Sequence, residues 1–104
     1  MKKQSGLKTN LTMLTDFYEI TMANGYFKNG YKDTIVYFDM FFRHVPNDGG
    51  YAIMAGVQQV VEYIEELEFT PEDIEYLRNC KIFSEDFIQY LADFQFTCDV
   101  WAVP

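Results

Sequence analysis

The sequence is poor in the residue types that build metal and thiol sites: its 104 residues include one histidine and two cysteines. Zinc sites take several Cys or His ligands at close spacing. Cys80 and Cys98 lie far apart in unrelated sequence contexts, so no metal site is expected. Both cysteines are interpreted as small buried apolar side chains without a functional role.

Long apolar runs and an excess of basic residues are also absent. No apolar stretch approaches the roughly 20 residues of a membrane span, and the lysine-containing N-terminus lacks the apolar segment of a signal peptide. Asp and Glu outnumber Lys and Arg by 16 to 8, and the resulting net charge of -8 repels phosphate backbones. We therefore expect a cytoplasmic protein that binds neither nucleic acid nor membrane.

Aromatic side chains, by contrast, are abundant, with ten Phe and eight Tyr contributing to an aromatic fraction of 18%. Each ring can bury about 150–250 Å², whereas a chain of this length forms one domain with a modest core. Part of the aromatic surface is therefore expected to face a partner.

The spacing of apolar residues predicts four helices after a basic lead-in at residues 1–10. The first helix, residues 14–28, carries an apolar stripe, and Asn29-Gly30 is a typical helix end. The stripe consists of Leu14, Tyr18, Met22 and Tyr26. The other helices are predicted at residues 57–67, 70–77 and 84–91.

The last two predicted helices form a hairpin. Each begins with a hydroxyl residue, Thr70 or Ser84, followed by acidic residues that suit the positive end of a helix. Pro71 occupies the first helical position, where its missing N–H costs nothing.

Three segments rich in β-branched and aromatic residues predict strands at residues 34–42, 51–54 and 96–103. Residues 46–50, which include Gly49-Gly50, are interpreted as a turn. Helices and strands together predict an α+β fold. Because the sequence stops directly after the last apolar strand, we expect the domain, residues 11–104, to be truncated.

Four segments in chain order resemble the N-terminal domain of nicotinate phosphoribosyltransferases. They are residues 15–23 (TDFYEITMA), 36–43 (VYFDMFFR), 49–56 (GGYAIMAG) and 96–104 (FTCDVWAVP). The run from Glu19 to Met22 resembles the nicotinate-using members more than the nicotinamide-using ones.

This resemblance implies a type II phosphoribosyltransferase, in which an N-terminal α/β domain packs on an α/β barrel that is absent from this chain. Such enzymes join nicotinate to 5-phosphoribosyl 1-pyrophosphate, using ATP hydrolysis and Mg²⁺, to give nicotinate mononucleotide for NAD biosynthesis. The resemblance implies a cytoplasmic homodimer with sites shared between subunits. The barrel carries the catalytic histidine, which His44 does not match, so this chain alone is expected to be inactive.

By the same resemblance, Tyr18 and Asp16 face the pyridine ring of nicotinate, and Arg43 contacts phosphate groups. Each residue also has a structural interpretation. Asp16 followed by Glu19 has the pattern of a helix capping box, Tyr18 is a core residue by its periodicity, and a solvated arginine is ordinary at a strand end.

A second class of function stays open. A small domain with many exposed rings is also typical of a non-enzymatic protein-interaction module. The two hypotheses differ in the sequence that they require beyond residue 104, because the enzyme needs several hundred further residues of alternating strands and helices.

Overall fold

The computed structural model describes residues 10–103, which form four helices in the predicted order. They are α1 (Phe17–Lys28), α2 (Val57–Glu65), α3 (Pro71–Asn79) and α4 (Glu85–Ala92), with a 3-10 turn at Pro46–Asp48. The four predicted helices are confirmed. Residues 1–9, nearly all of the predicted lead-in, lie outside the described residues, as does Pro104.

The starts of α3 and α4 follow from their capping residues. The Thr70 hydroxyl accepts a hydrogen bond from the Asp73 backbone N–H at 3.2 Å, and the Asp73 carboxylate accepts one from the Thr70 N–H at 3.0 Å. This reciprocal pair is a complete capping box. At α4 the Ser84 hydroxyl accepts a hydrogen bond from the Phe87 N–H at 3.3 Å. Both predicted helix starts are therefore confirmed.

The C-terminal end of α1 is set by Asn29-Gly30, as predicted. Gly30 has a φ of 82°, a conformation that glycine adopts without strain. Its N–H bonds to the Phe27 carbonyl at 3.3 Å, and the Tyr31 N–H bonds to the Tyr26 carbonyl at 2.9 Å. These two hydrogen bonds form a Schellman motif, which satisfies carbonyls that the end of the helix leaves without partners.

The core lies where α4 packs against both α1 and α3. Its buried side chains are Ile20, Ile74, Leu77, Phe87, Ile88 and Leu91. Phe27 extends the core with ring contacts to Phe87 and Tyr90, at centroid distances of 5.7 and 5.1 Å. Full burial of a side chain such as Leu77 contributes about 1.5–3 kcal/mol, so this three-helix cluster is the stable part of the described chain.

The predicted hairpin of α3 and α4 is confirmed, and Arg78 joins its two helices at the surface. The guanidinium donates two hydrogen bonds to the Glu85 carboxylate, at 2.8 and 3.3 Å, and a longer one to Glu75 at 3.4 Å. The bond from Arg78 lowers the pKa of the Glu85 carboxyl, and the same bond raises the pKa of Arg78. Since these side chains are exposed, the pair adds little to the free energy of folding.

The predicted strands do not form within residues 10–103, so the described chain is helical and the α+β prediction is not confirmed. Residues 34–42, 51–54 and 96–103 run without strand pairing. A strand is stabilised by hydrogen bonds to a neighbouring strand, and none of these three segments pairs with another. Their side chains are exposed, with Tyr37 and Trp101 at 95% and 93% of full accessibility.

Because these three segments are unpaired, much apolar surface is exposed to solvent. The chain exposes 9163 Å², whereas a compact protein of 12.3 kDa exposes about 6,100 Å². Most of the exposed large apolar side chains belong to residues 35–54 and 96–103, and α2 contacts no other helix of the described chain. Among the described residues, no helix is both long and apolar enough to cross a bilayer.

Candidate functional site

A buried threonine fixes the start of α1, which carries Asp16 and Tyr18, to the segment before α3. The Thr12 hydroxyl accepts a hydrogen bond from the Glu68 N–H at 3.0 Å, and the Asn10 side-chain amide donates to the Glu68 carbonyl at 2.9 Å. The Asn10 side-chain carbonyl accepts from the Thr12 N–H at 2.9 Å. Thr12 is only 6% accessible, and its hydrogen bonds with Asn10 and Glu68 hold the entry to α1.

The residues between Thr12 and the helix form tight turns. The Leu14 N–H donates to the Leu11 carbonyl at 2.9 Å, and the Thr15 N–H donates to the Met13 carbonyl at 3.0 Å. Met13 also packs against the core. The helix therefore begins at Phe17 and not at residue 14, and Asp16 lies at its N-cap position.

Asp16 has the extended backbone of an N-cap residue, but its carboxylate makes no capping hydrogen bond. Glu19, the partner in the expected capping box, accepts a hydrogen bond from the Thr15 hydroxyl instead. The capping-box interpretation of Asp16 and Glu19 is therefore wrong. The Asp16 side chain stays exposed at the positive end of the helix dipole.

Tyr18 lies on the outer face of α1 and is 59% accessible. The other members of the predicted stripe, Leu14, Met22 and Tyr26, are exposed as well. The core interpretation of Tyr18 is therefore wrong for the described chain. The helix uses a different face for the core, which carries Ile20, Ala23 and Phe27. Because α1 has apolar residues on two faces, periodicity could not identify the buried one.

Asp16 and Tyr18 together present a carboxylate and an aromatic ring at the first turn of one anchored helix. The Thr21 hydroxyl donates to the Tyr18 carbonyl at 2.9 Å, which engages the backbone of this turn while the ring stays free. An exposed ring can stack on a flat ligand. A neighbouring carboxylate favours a ligand ring that gains positive charge.

Arg43 is exposed in a bend after the apolar segment 34–42. No salt bridge or hydrogen bond within residues 10–103 joins it to another side chain, and none connects it to Asp16 or Tyr18. Asp16 and Tyr18 thus lie two residues apart at the start of α1, and the structure does not link Arg43 to them. Its guanidinium is solvated here and retains all of its donors for a ligand.

The loop after Arg43 contains two residues with a left-handed backbone conformation, which the sequence did not predict. Asn47 and Asp48 have φ values of 57° and 52°, in the left-handed region that Asn and Asp tolerate better than most residues. The Gly49 N–H bonds to the Pro46 carbonyl at 3.1 Å. This geometry fits the interpretation of residues 46–50 as a turn.

The two cysteines are free thiols in different surroundings. Cys80, at the end of α3, is partly buried, whereas Cys98 is exposed. The predicted burial of Cys98 is wrong, because the segment that carries it packs against no covering element.

In the part of the chain that the structure describes, no three His, Cys, Asp or Glu side chains come close enough to hold a metal ion.

A groove of about 430 Å³ runs along α4 and the residues after it, and sequence reasoning did not find it. It is lined by Asp86, Gln89, Tyr90, Asp93, Phe94, Gln95 and Thr97. Tyr90 contacts Phe27 near the C-terminal end of α1, so the groove lies at the opposite end of that helix from Asp16. Its two carboxylates would repel a phosphate-bearing ligand.

Comparison with known proteins identifies the domain. Residues 13–104 match the family described as the N-terminal domain of nicotinate phosphoribosyltransferase. The chain belongs to this family. The resemblance of the four sequence segments is thereby confirmed, and the helical cluster with the Asp16–Tyr18 turn is part of a nicotinate phosphoribosyltransferase N-terminal domain.

Curated relatives carry the same family name. A nicotinate phosphoribosyltransferase of Mycobacterium tuberculosis is 42% identical over 92 residues, covering 88% of this chain and 20% of the relative. The Bacillus subtilis enzyme is 39% identical over 79 residues, covering 76% and 16%. The Caenorhabditis elegans enzyme is 37% identical over 83 residues, covering 76% and 14%. The chain thus spans a fifth or less of the length of these relatives.

Proposed function

We propose that this domain is the N-terminal part of an enzyme that joins nicotinate to 5-phosphoribosyl 1-pyrophosphate, with ATP hydrolysis, to form nicotinate mononucleotide in NAD biosynthesis. The observation that carries the proposal is the exposed Asp16–Tyr18 turn, held by the Thr12 hydrogen bonds, within a domain of this family. Exposed functional side chains on an anchored backbone are what a ligand site requires.

In this proposal Tyr18 offers its ring face to the pyridine ring of nicotinate. Stacking of two flat rings contributes about 0.5–1.5 kcal/mol beyond the burial of their surface. Tyr18 is suited to this role because more than half of its surface is accessible. The Tyr18 ring makes no contribution to binding the phosphates of the second substrate, 5-phosphoribosyl 1-pyrophosphate.

Asp16 acts on the charge of the same ring. When the pyridine nitrogen forms a bond to the ribose carbon, the bond from that carbon to the pyrophosphate oxygen breaks, pyrophosphate leaves with the electron pair, and the ring becomes a cation. A carboxylate beside the ring stabilises that developing charge, while it gains nothing from the negatively charged nicotinate in the ground state. Asp16 therefore contributes to the rate of the chemical step more than to substrate binding.

Arg43 is proposed to bind phosphate oxygens of 5-phosphoribosyl 1-pyrophosphate. A guanidinium can hold two phosphate oxygens in parallel hydrogen bonds, and Arg43 breaks no internal ion pair to do so. We further propose that ATP and Mg²⁺ bind to the remaining length of the enzyme, which also carries the catalytic groups other than Asp16.

The uncovered apolar segments fit the same proposal. Residues 34–42, 51–54 and 96–103 have the composition of strands and lack partners in the described chain. In a complete cytoplasmic homodimer they pair with further strands and pack on the barrel, which restores an α+β domain. Sites shared between subunits would then place the outer face of α1 against the neighbouring barrel.

The proposal is tested with two variants of a complete enzyme that carries residues 13–104 as its N-terminal domain. Tyr18→Ala is expected to raise the KM for nicotinate by about five- to thirtyfold and to leave the KM for 5-phosphoribosyl 1-pyrophosphate nearly unchanged. Asp16→Asn is expected to lower kcat with a smaller change in either KM. Tyr18→Phe is the matched control and should be mild, because the ring face remains.

A melting curve on the same preparations separates binding from folding. If Tyr18→Ala lowers the Tm and leaves the nicotinate KM unchanged, Tyr18 is a structural residue and its place in the site is wrong.

A further inference from the structure

The backbone of Glu68 is bonded at both of its polar groups to the segment that precedes α1. Its N–H donates to the Thr12 hydroxyl at 3.0 Å, and its carbonyl accepts from the Asn10 side-chain amide at 2.9 Å. The Asn10 side-chain carbonyl closes the ring by accepting from the Thr12 N–H at 2.9 Å. Because Glu68 lies 56 residues after Thr12, the three hydrogen bonds join two distant parts of the chain.

Glu68 is a firm support because the residues directly after it are fixed. The Phe69 ring packs against the core and contacts the Phe94 ring edge-on at a centroid distance of 6.3 Å. Thr70 then caps α3 in the reciprocal capping box. The buried Thr12 is therefore held against a part of the domain that the core and a helix cap already stabilise.

Asp16 depends on this support for its position. The chain passes from Thr12 to Asp16 through the two tight turns of residues 11–15. Asp16 lies at the N-cap, before the first residue of the helix, and its carboxylate makes no capping hydrogen bond. The location of that carboxylate is therefore set by the backbone that leads from Thr12.

Tyr18 has a second support that Asp16 lacks. It lies within α1, which packs against the core through Ile20, Ala23 and Phe27. These contacts hold the helix whether or not the Thr12 hydroxyl is present. The two candidate site residues should therefore respond differently when that hydroxyl is removed.

We propose that Thr12 is a positioning residue for Asp16: its buried hydroxyl, bonded to the Glu68 N–H, fixes the N-cap backbone so that the Asp16 carboxylate lies beside the pyridine ring. This inference rests on the proposed function, in which Asp16 stabilises the charge that develops on that ring during the chemical step. Thr12 itself touches no substrate.

The test is Thr12→Val in a complete enzyme that carries residues 10–104, assayed well below the Tm of every variant. Valine keeps the branched shape of the side chain but offers the Glu68 N–H no acceptor. We expect kcat to fall by about three- to thirtyfold, because a small misplacement of a group that acts in the chemical step is costly. The KM for nicotinate should stay nearly constant, since Tyr18 keeps its place. Thr12→Ser keeps the hydroxyl and should restore most of kcat.

Thr70→Val is the matched control, because it removes the same kind of hydrogen bond two residues from Glu68. It takes the acceptor from the Asp73 N–H at the start of α3 and leaves the segment before α1 in place. Both valine variants should lower the Tm, but only Thr12→Val should lower kcat. Equal falls in kcat for the two variants, or none for Thr12→Val, would overturn the positioning role.

Asn10→Ala tests the same support without a change in a buried side chain. Asn10 is exposed, and the variant removes the other two hydrogen bonds of the ring, so kcat should fall while the KM for nicotinate stays nearly constant. A rise in that KM as large as the fall in kcat, in either this variant or Thr12→Val, would contradict the assignment to Asp16.

A double variant shows whether Thr12 acts through Asp16. In an Asp16→Asn background, Thr12→Val is expected to cause no further loss of kcat, since non-additivity marks residues that act as a unit. Losses that add would show that Thr12 acts by another route, and the inference would be wrong.

The inference and the proposed function fail differently. If Asp16→Asn lowers kcat and Thr12→Val does not, the positioning role is wrong and the proposed function stands. If Asp16→Asn leaves kcat unchanged, the proposed role of Asp16 is wrong, and the role of Thr12 is wrong with it.

Discussion

At the scale of single residues, Arg43 differs from Arg78 in its ion pairs. In folded proteins an arginine near carboxylates usually forms an ion pair, as Arg78 does with Glu85 and Glu75. Arg43 forms none within residues 10–103, although acidic residues are twice as numerous as basic ones in this chain. A phosphate group can therefore bind its guanidinium without displacing an internal partner.

Arg43→Ala in the complete enzyme is expected to raise the KM for 5-phosphoribosyl 1-pyrophosphate about tenfold or more, because a hydrogen bond to a charged group is lost. The KM for nicotinate should change little. Arg43→Lys should be intermediate, since an ammonium keeps the charge but not the paired geometry. Lys32→Ala removes an exposed cation that pairs with Asp33 and is the control. Equal changes in both KM values for Arg43→Ala would contradict the assignment.

At the scale of the helices, capping residues define the structure most clearly. Thr70→Val is expected to lower the stability of the domain by about 1 kcal/mol, because the Asp73 N–H loses its acceptor. This corresponds to a fall in Tm of roughly 4–8 °C for a domain of this size, measured by the loss of helical circular dichroism. Thr97→Val, in an unpaired and exposed segment, should leave the Tm unchanged. A Tm unaffected by Thr70→Val would show that the capping box is not formed.

The helices could be predicted from sequence because their signals are local. The caps at Thr70 and Ser84 and the stop at Asn29-Gly30 each act within a few residues. The strand prediction depended on partners outside the segments themselves, and the described chain supplies none. The buried face of α1 also depended on α4, which lies about 60 residues later in the sequence.

The candidate residues come from the family resemblance, and the hydrogen bonds around them could not be predicted from the sequence. Family resemblance identified Asp16, Tyr18 and Arg43, and the exposure of all three is compatible with ligand binding. The Thr12 hydrogen bonds could not be anticipated, because Glu68 lies 56 residues away in sequence.

For the whole molecule, the high aromatic content predicts that some rings face a partner, and many rings are exposed in residues 10–103. Exposed rings alone would also suit a non-enzymatic interaction module. Family membership favours the enzyme, because relatives of this domain are nicotinate phosphoribosyltransferases about five or more times its length. We propose that the uncovered segments become buried in the larger enzyme.

The most direct measurement is product formation from nicotinate, 5-phosphoribosyl 1-pyrophosphate and ATP, compared between residues 1–104 alone and the complete enzyme that carries them. We expect nicotinate mononucleotide from the complete enzyme and none from the isolated domain, because most of the groups that stabilise the transition state lie outside this domain. Turnover by the isolated domain that Tyr18→Ala abolishes would contradict the proposed division of labour, and a complete enzyme that forms no nicotinate mononucleotide would contradict the proposed function itself.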